Sequence, residues 1–255
     1  MNILKRVGRA LGRTLSPSVT VAKDSARARD LSALLSGRLT LDPGIKSVVD
    51  QVRARAAADT TPYPPEAYGG YATIGEHAAA ASSRDPKLAL LEALVRRRAA
   101  GSILEIGTAY GLSAVTMALA QGSPNVVTID FFEPQASVGP KNIASVTGGV
   151  QCIKERKEEA LPRLHREGRK FDLVFHDGGH TGDGYVQDFD TIHPMLTPQS
   201  IYIIDDIAWD EGERRGFTSD KSRRTCREGW EELLRDPRVE GAVVANRSVG
   251  ILLTR

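Results

Sequence analysis

From residue 85 onward, short apolar runs alternate with longer stretches whose apolar residues recur every three or four positions. Short apolar runs bounded by glycine or charge read as buried strands, and the longer periodic stretches read as helices. "DPKLALLEALVRRRAAG" predicts a helix with Asp85 as cap, Pro86 at the first helical position and Gly101 at the stop. "SILEIG" predicts a first strand, "LSAVTMALAQG" a helix, "NVVTID" a second strand, and "VQCIK" a less apolar third. "EEALPRLHREG" follows as a helix, "FDLVFHD" as a fourth strand, "GYVQDFDTIHPML" as a helix and "SIYIIDDI" as a fifth strand. The chain closes on two apolar runs around Asn246-Arg247, a hairpin signal. Repeated β-α units predict an α/β fold, a doubly wound and mostly parallel sheet with helices on both faces.

The pattern ahead of residue 85 is different. Residues 1–60 read as a helical extension rich in Arg and Ala, and residues 61–84 as an aromatic loop or lid on the domain at 85–255. Residues 61–77 hold three prolines, three glycines and the tyrosines Tyr63, Tyr68 and Tyr71, whose rings need something to pack on. At the start, Leu4, Val7 and Leu11 recur at helical spacing opposite Lys5, Arg6, Arg9 and Arg13. Such a helix over residues 1–15 suits either a membrane surface or packing on its own domain or a partner subunit. A homo-oligomer is the expected assembly.

Composition narrows the classes. The 255 residues carry a formal net charge of +2, so no global electrostatic case for nucleic acid exists. Cys152 and Cys226 stand far apart, outside any C-x-x-C spacing, which argues against a zinc site or disulfide scaffold and makes a reducing cytoplasm the default. No run of about 18 apolar residues could span a bilayer.

In such sheets active groups gather at the carboxyl ends of the strands, so chemistry is expected where each strand stops. The first strand ends in "LEIGTAYGLSAV", where Gly107 and Gly111 allow backbone to approach a ligand and the next helix offers free N–H groups. Its spacing is G-x-x-x-G, which fails the dinucleotide fingerprint, and tight strand-to-helix packing explains a glycine pair equally well. Glu105 inside the apolar strand strengthens the ligand reading. The second strand ends on Asp130, where a carboxylate can accept both hydroxyls of a ribose. The fourth strand ends at Asp177 and the fifth at Asp205-Asp206, three acids that a shared pocket tolerates only with a cation. Hard oxygen donors suit Mg²⁺, with Mn²⁺ close behind. His180, three residues past Asp177, suits proton abstraction, while His165, His176 and His193 read as structural and His77 falls in the aromatic loop.

Taken together, these features resemble the class I S-adenosylmethionine-dependent methyltransferases, and within them the metal-dependent small-molecule O-methyltransferases of the catechol and macrolide-sugar type. The resemblance covers roughly residues 85–255. It implies a seven-stranded Rossmann-like sheet with a reversed last strand. It places Glu105, Gly107, Thr108, Tyr110, Gly111 and Ser113 along the amino-acid end of the cofactor, Asp130 on its ribose, and Lys157 and Glu158 near its adenine. Asp177, which also borders the cofactor, would hold Mg²⁺ with Asp205 and Asp206. His180 matches the macrolide-sugar enzymes' histidine rather than the catechol enzyme's lysine, which implies a sugar or glycoside hydroxyl as acceptor. A catechol, phenol or carboxylate remains the alternative. Tyr63, Tyr68, Tyr71, His77, Trp209, Arg214 and Arg215 are the candidate acceptor contacts, the last two in a basic stretch at 210–230. A nicotinamide oxidoreductase, an RNA methyltransferase and a non-catalytic binding protein are the rival classes.

Overall fold

The computed structural model describes residues 18–64, 70–120, 124–208 and 224–255. Eight described strands form one sheet: β1 (Val19–Lys23), β2 (Ser102–Ile106), β3 (Asn125–Asp130), β4 (Val150–Lys154), β5 (Phe171–His176), β6 (Leu196–Ile204), β7 (Val239–Ala245) and β8 (Val249–Thr254). Their spatial order is β1-β7-β8-β6-β5-β2-β3-β4. The five central strands β2 to β6 pair in parallel, and the hairpin β7-β8 and β1 join antiparallel. The α/β doubly wound expectation is met, with the hairpin turning on Asn246 and Arg247, both at positive φ.

The eighth strand corrects the reading of residues 1–60 as helical. β1 precedes α1 (Ala26–Leu35) and α2 (Pro43–Ala57), and pairs with β7 from Val19↔Ala245 onward. Three of its five residues are exposed, so an apolar face that would advertise a strand is missing.

The helices divide the core into two layers. Val52 of α2, Leu91 of α4 (Asp85–Arg98) and Val115 of α5 (Leu112–Leu119) pack on one face with Ile103 of β2. Leu161 of α7 (Lys157–Arg166), Phe189 of α8 (Gly182–Ile192) and Trp230 of α9 (Cys226–Arg235) pack on the other with Leu104 and Ile106. This one-residue alternation is the period of a strand buried on both faces. Between them in sequence lie α3 (Ile74–Ala81) and α6 (Gln135–Ala144), the latter a helix without a sequence expectation.

Two helix-end expectations need correcting. Asp85 is the first residue of α4 rather than its cap, and its carboxylate instead pairs with Arg53 at 2.7 Å. The helix ends on Ala99 in the left-handed conformation, two residues before Gly101. Among the described residues, no helix is long and apolar enough to cross a membrane. The segment 1–15, with its amphipathic pattern, lies outside the described residues.

Candidate active site

The strand order reverses between the parallel strands β2 and β5, which end there beside β3 and β6. The register sets Ile106 against Ile129 and His176, and His176 against Ile204, so four strand ends lie side by side. A cleft of about 570 Å³ opens above them. This is the place the strand-end rule anticipates for a ligand.

Its first half is built on backbone. Gly107 has φ +98 and would carry a Cβ only 2.4 Å from the carbonyl oxygen of Asp177. Asp177 N–H in turn donates to Ile106 O at 2.8 Å, so the glycine is what lets the ends of β2 and β5 touch. Gly111, φ +90, would set a Cβ 2.6 Å from Ile143 of α6. Close chain packing thus accounts for both glycines, and the concave turn they make borders the cleft together with Thr108, Tyr110 and Ser113. Asp130 faces the same turn: its two oxygens accept from Ala109 N and Phe132 N, each at 2.9 Å. Burial raises the Asp130 carboxyl while those amides pull it down.

Glu105 lies beneath this half rather than in it. It is fully buried and accepts from Thr128 Oγ1 at 2.5 Å. Burial pushes its carboxyl up to about 7, against the hydroxyls of Ser113 and Thr128. Thr108 joins the same chain through Thr128, hydroxyl to hydroxyl at 2.7 Å.

The second half is built on charge. Asp177, His180, Asp205 and Asp206 all border the cleft. His180 Nε2 lies 3.9 Å from Asp177 Oδ1 and its Nδ1 lies 3.8 Å from Asp206 Oδ2. Tyr185 of α8 donates its hydroxyl to Asp205 O at 2.9 Å and sits 3.4 Å from His180 Nδ1. With its proton committed to that carbonyl, the phenol oxygen can accept from Nδ1–H, which leaves Nε2 as the basic nitrogen.

The three expected acids lie together at this end of the cleft, with different partners. Asp177, His180 and Asp206 bring donor atoms within 4.8 Å of one another, while Asp205, beside Asp177, pairs with Lys87 Nζ. Lys87 Nζ also lies 3.5 Å from Asp177 Oδ2. Burial alone would lower the Lys87 ammonium, but Asp177 and Asp205 hold it above its ordinary value. Burial and the neighbouring Asp205 charge push Asp177 well above the usual carboxylate range. Asp206 sits at φ +58, a left-handed conformation that costs a non-glycine residue about 1 kcal/mol or more.

An aromatic wall closes the cleft. Tyr63 stacks on His77 at 4.5 Å, Tyr71 meets His77 edge-on at 5.0 Å, and His77 Nδ1 is 2.6 Å from the Tyr110 hydroxyl. His77 belongs to α3 rather than to a loop, and burial lowers its imidazole. Gln135 of α6 donates to the Tyr63 hydroxyl at 3.2 Å.

Other expected contacts stand elsewhere. Lys157 borders the cleft but its ammonium pairs with Asp188, which also holds the buried His176 at 2.6 Å. Glu158 is exposed and borders an outer hollow instead. The last part of the basic stretch 210–230 is the start of α9, and its Arg224 pairs with Asp183 at 2.7 Å. Tyr68, Trp209, Arg214 and Arg215 lie outside the described residues.

Five contributors had no sequence expectation. Lys87 and Gln135 sit in helices whose reach the sequence does not show. Tyr185 reads as one more core aromatic. Phe131 and Phe132 gave the one local signal: two apolar rings directly after a strand-end acid, still 42% and 39% exposed at the cleft's rim.

Residues 104–207 match the sequence model of a family described as a methyltransferase domain. With the sheet order above, the fold is the Rossmann-like α/β fold of the methyltransferases. Among curated proteins, none matches the chain in sequence. Solved structures share its architecture at low identity. The SAH-bound methyltransferase PaMTH1 of Podospora anserina superposes with a TM-score of 0.61 at 18% identity, over 90% of this chain and 95% of that one. TomG of Streptomyces achromogenes, an O-methyltransferase of tomaymycin synthesis in complex with SAM, gives 0.59 at 22% identity, over 89% and 94%. The Bacillus cereus O-methyltransferase in complex with SAH gives 0.57 at 22% identity, over 89% and 96%.

Proposed function

We propose that the protein transfers a methyl group from S-adenosylmethionine to a hydroxyl of a small molecule, with a sugar or glycoside as acceptor. The observation that carries this is the convergence of His180, Asp177 and Asp206 at one end of a cleft whose other end is the Gly107 turn and Asp130. The cofactor half fits its ligand: a strand-end acid, a glycine turn, and the part-exposed rings of Phe131 and Phe132 at the rim, the first with the Arg156 guanidinium over it. Bound there, S-adenosylmethionine supplies an electrophilic methyl on a sulfonium.

The chain's residues prepare the oxygen. His180 Nε2 takes the acceptor's hydroxyl proton, and Tyr185 keeps the imidazole oriented through Nδ1. Asp177 stabilises the imidazolium that results. The aromatic wall excludes water and holds the acceptor in line, which is where much of the acceleration of a displacement reaction arises. Mg²⁺ or Mn²⁺ fits Asp177 and Asp206, and would supply positive charge for the developing alkoxide. His180 can join those two acids as a ligand only by giving up its basic lone pair. Lys157 and Glu158 are not needed for this scheme.

A phenolic acceptor is the second reading, favoured by the Tyr63–Tyr71–His77 wall, which suits a flat ring as well as a sugar face. Glycosides, catechols and hydroxy acids offered with labelled S-adenosylmethionine, each with Mg²⁺ and with excess chelator, separate these outcomes. Label on the glycosides is expected, and no transfer to any hydroxyl would sink the reading.

A further inference from the structure

The acids at the ends of β5 and β6 face two different bases. Lys87 reaches over from α4 to Asp177 Oδ2, at 3.5 Å, and to Asp205 Oδ2. His180 Nε2 faces the opposite oxygen, Asp177 Oδ1, at 3.9 Å. One carboxylate therefore carries a fixed ammonium on one side and the cation-capable corner on the other.

The placement of Lys87 is costly on local grounds. It stands in the first turn of α4, at the positive end of the helix dipole, where a cation is disfavoured. Its side chain is 26% exposed and that of Asp205 only 4%, so the pair is held against the protein rather than solvated. A residue that breaks a helix rule and is compensated at a strand-end cleft is where a functional constraint is expected.

We propose that Lys87 is a built-in cation that competes with a divalent ion for Asp177 and Asp205. It removes Asp205 as a donor, cancels part of the negative charge a divalent ion would meet, and repels that ion across Asp177. The native chain therefore binds divalent ions weakly, through the Asp177–Asp206 side alone. This rests on reading Asp177, His180 and Asp206 as cation-capable.

Mn²⁺ titrated into the full chain, with free Mn²⁺ followed by paramagnetic resonance, tests it. Lys87→Met is expected to bind Mn²⁺ at least about tenfold more tightly than the native protein, and Lys87→Arg, which keeps the charge, to bind as weakly. Unchanged or weaker Mn²⁺ binding in Lys87→Met that still binds S-adenosylmethionine overturns the proposal, as does tenfold tightening in Lys87→Arg. If Lys87→Met does not fold, acetylation of Lys87 in the native chain decides. Labelling should rise severalfold as Mg²⁺ is added to tens of millimolar, and constant labelling refutes the competition. Methyl transfer is scored separately. Shifted affinities without any turnover would sink the transferase reading and leave Lys87 its role, and turnover with unshifted affinities would do the reverse.

Discussion

The two halves of the cleft are organised by different physics. Around Gly107 and Asp130, positions are fixed by backbone: positive φ angles, a carbonyl 2.4 Å from where a Cβ would be, and amides donating to a carboxylate. Around Asp177, positions are fixed by charge, with three acids shared between Lys87 and His180. The first half is a mould that tolerates little change in shape. The second is a balance that tolerates change in shape but not in charge. A cofactor common to many reactions suits the mould, and an acceptor to be deprotonated suits the balance.

Three experiments press on that contrast. The largest effect is expected from His180→Ala, which should slow transfer by roughly 10²-fold or more while S-adenosylmethionine affinity stays within about twofold. Single-turnover rates and calorimetric binding check it, and an unchanged rate would assign the proton to another group. Gly107→Ala should act the other way round, through shape. A methyl forced against Asp177 O at φ +98 should lower stability by about 3 kcal/mol and weaken cofactor binding, read from urea unfolding and calorimetry. If stability stays unaltered, the mould is softer than described.

Glu105→Gln is the subtlest, since it separates burial from function. Burial raises the Glu105 carboxyl from 4.5 to about 7, so the folded chain holds this proton more tightly than the unfolded one. Stability from this group is therefore present below about pH 4.5 and lost as pH rises through about 7, on the order of 3 kcal/mol in all. Glutamine cannot ionise, so the cofactor-free variant should lose less stability than the native chain between those limits. Parallel pH slopes in thermal or urea unfolding would place the charge elsewhere.

Much of this was legible in the chain because strand ends announce themselves. "VVTID", "FDLVFHD" and "SIYIIDDI" each break an apolar run with acid, and the parallel register then brings Asp130, Asp177 and Asp205 to the same edge of the sheet, the last two on adjacent strands. What register does not encode is which way each carboxylate turns. Asp205 and Asp206 are adjacent in sequence, yet one pairs with Lys87 and the other faces His180. Lys87 was invisible for a related reason. In "DPKLALLEAL" it reads as a solvated residue of an amphipathic helix, and only the packing of α4 against the sheet turns it over the acids. β1 escaped because an edge strand exposed on most of its residues lacks the alternation that marks a half-buried one.

That edge strand has a consequence for how the molecule keeps to itself. β1 covers the free backbone of β7, which would otherwise offer the amides and carbonyls of residues 242–245 to any passing strand. β1 is itself short, and ends in Lys23, whose ammonium donates to Asp236 O at 2.9 Å. Five residues far from the cleft thus act as a seal against edge-to-edge association. A chain trimmed of its N-terminal segment would trade that seal for a sticky border.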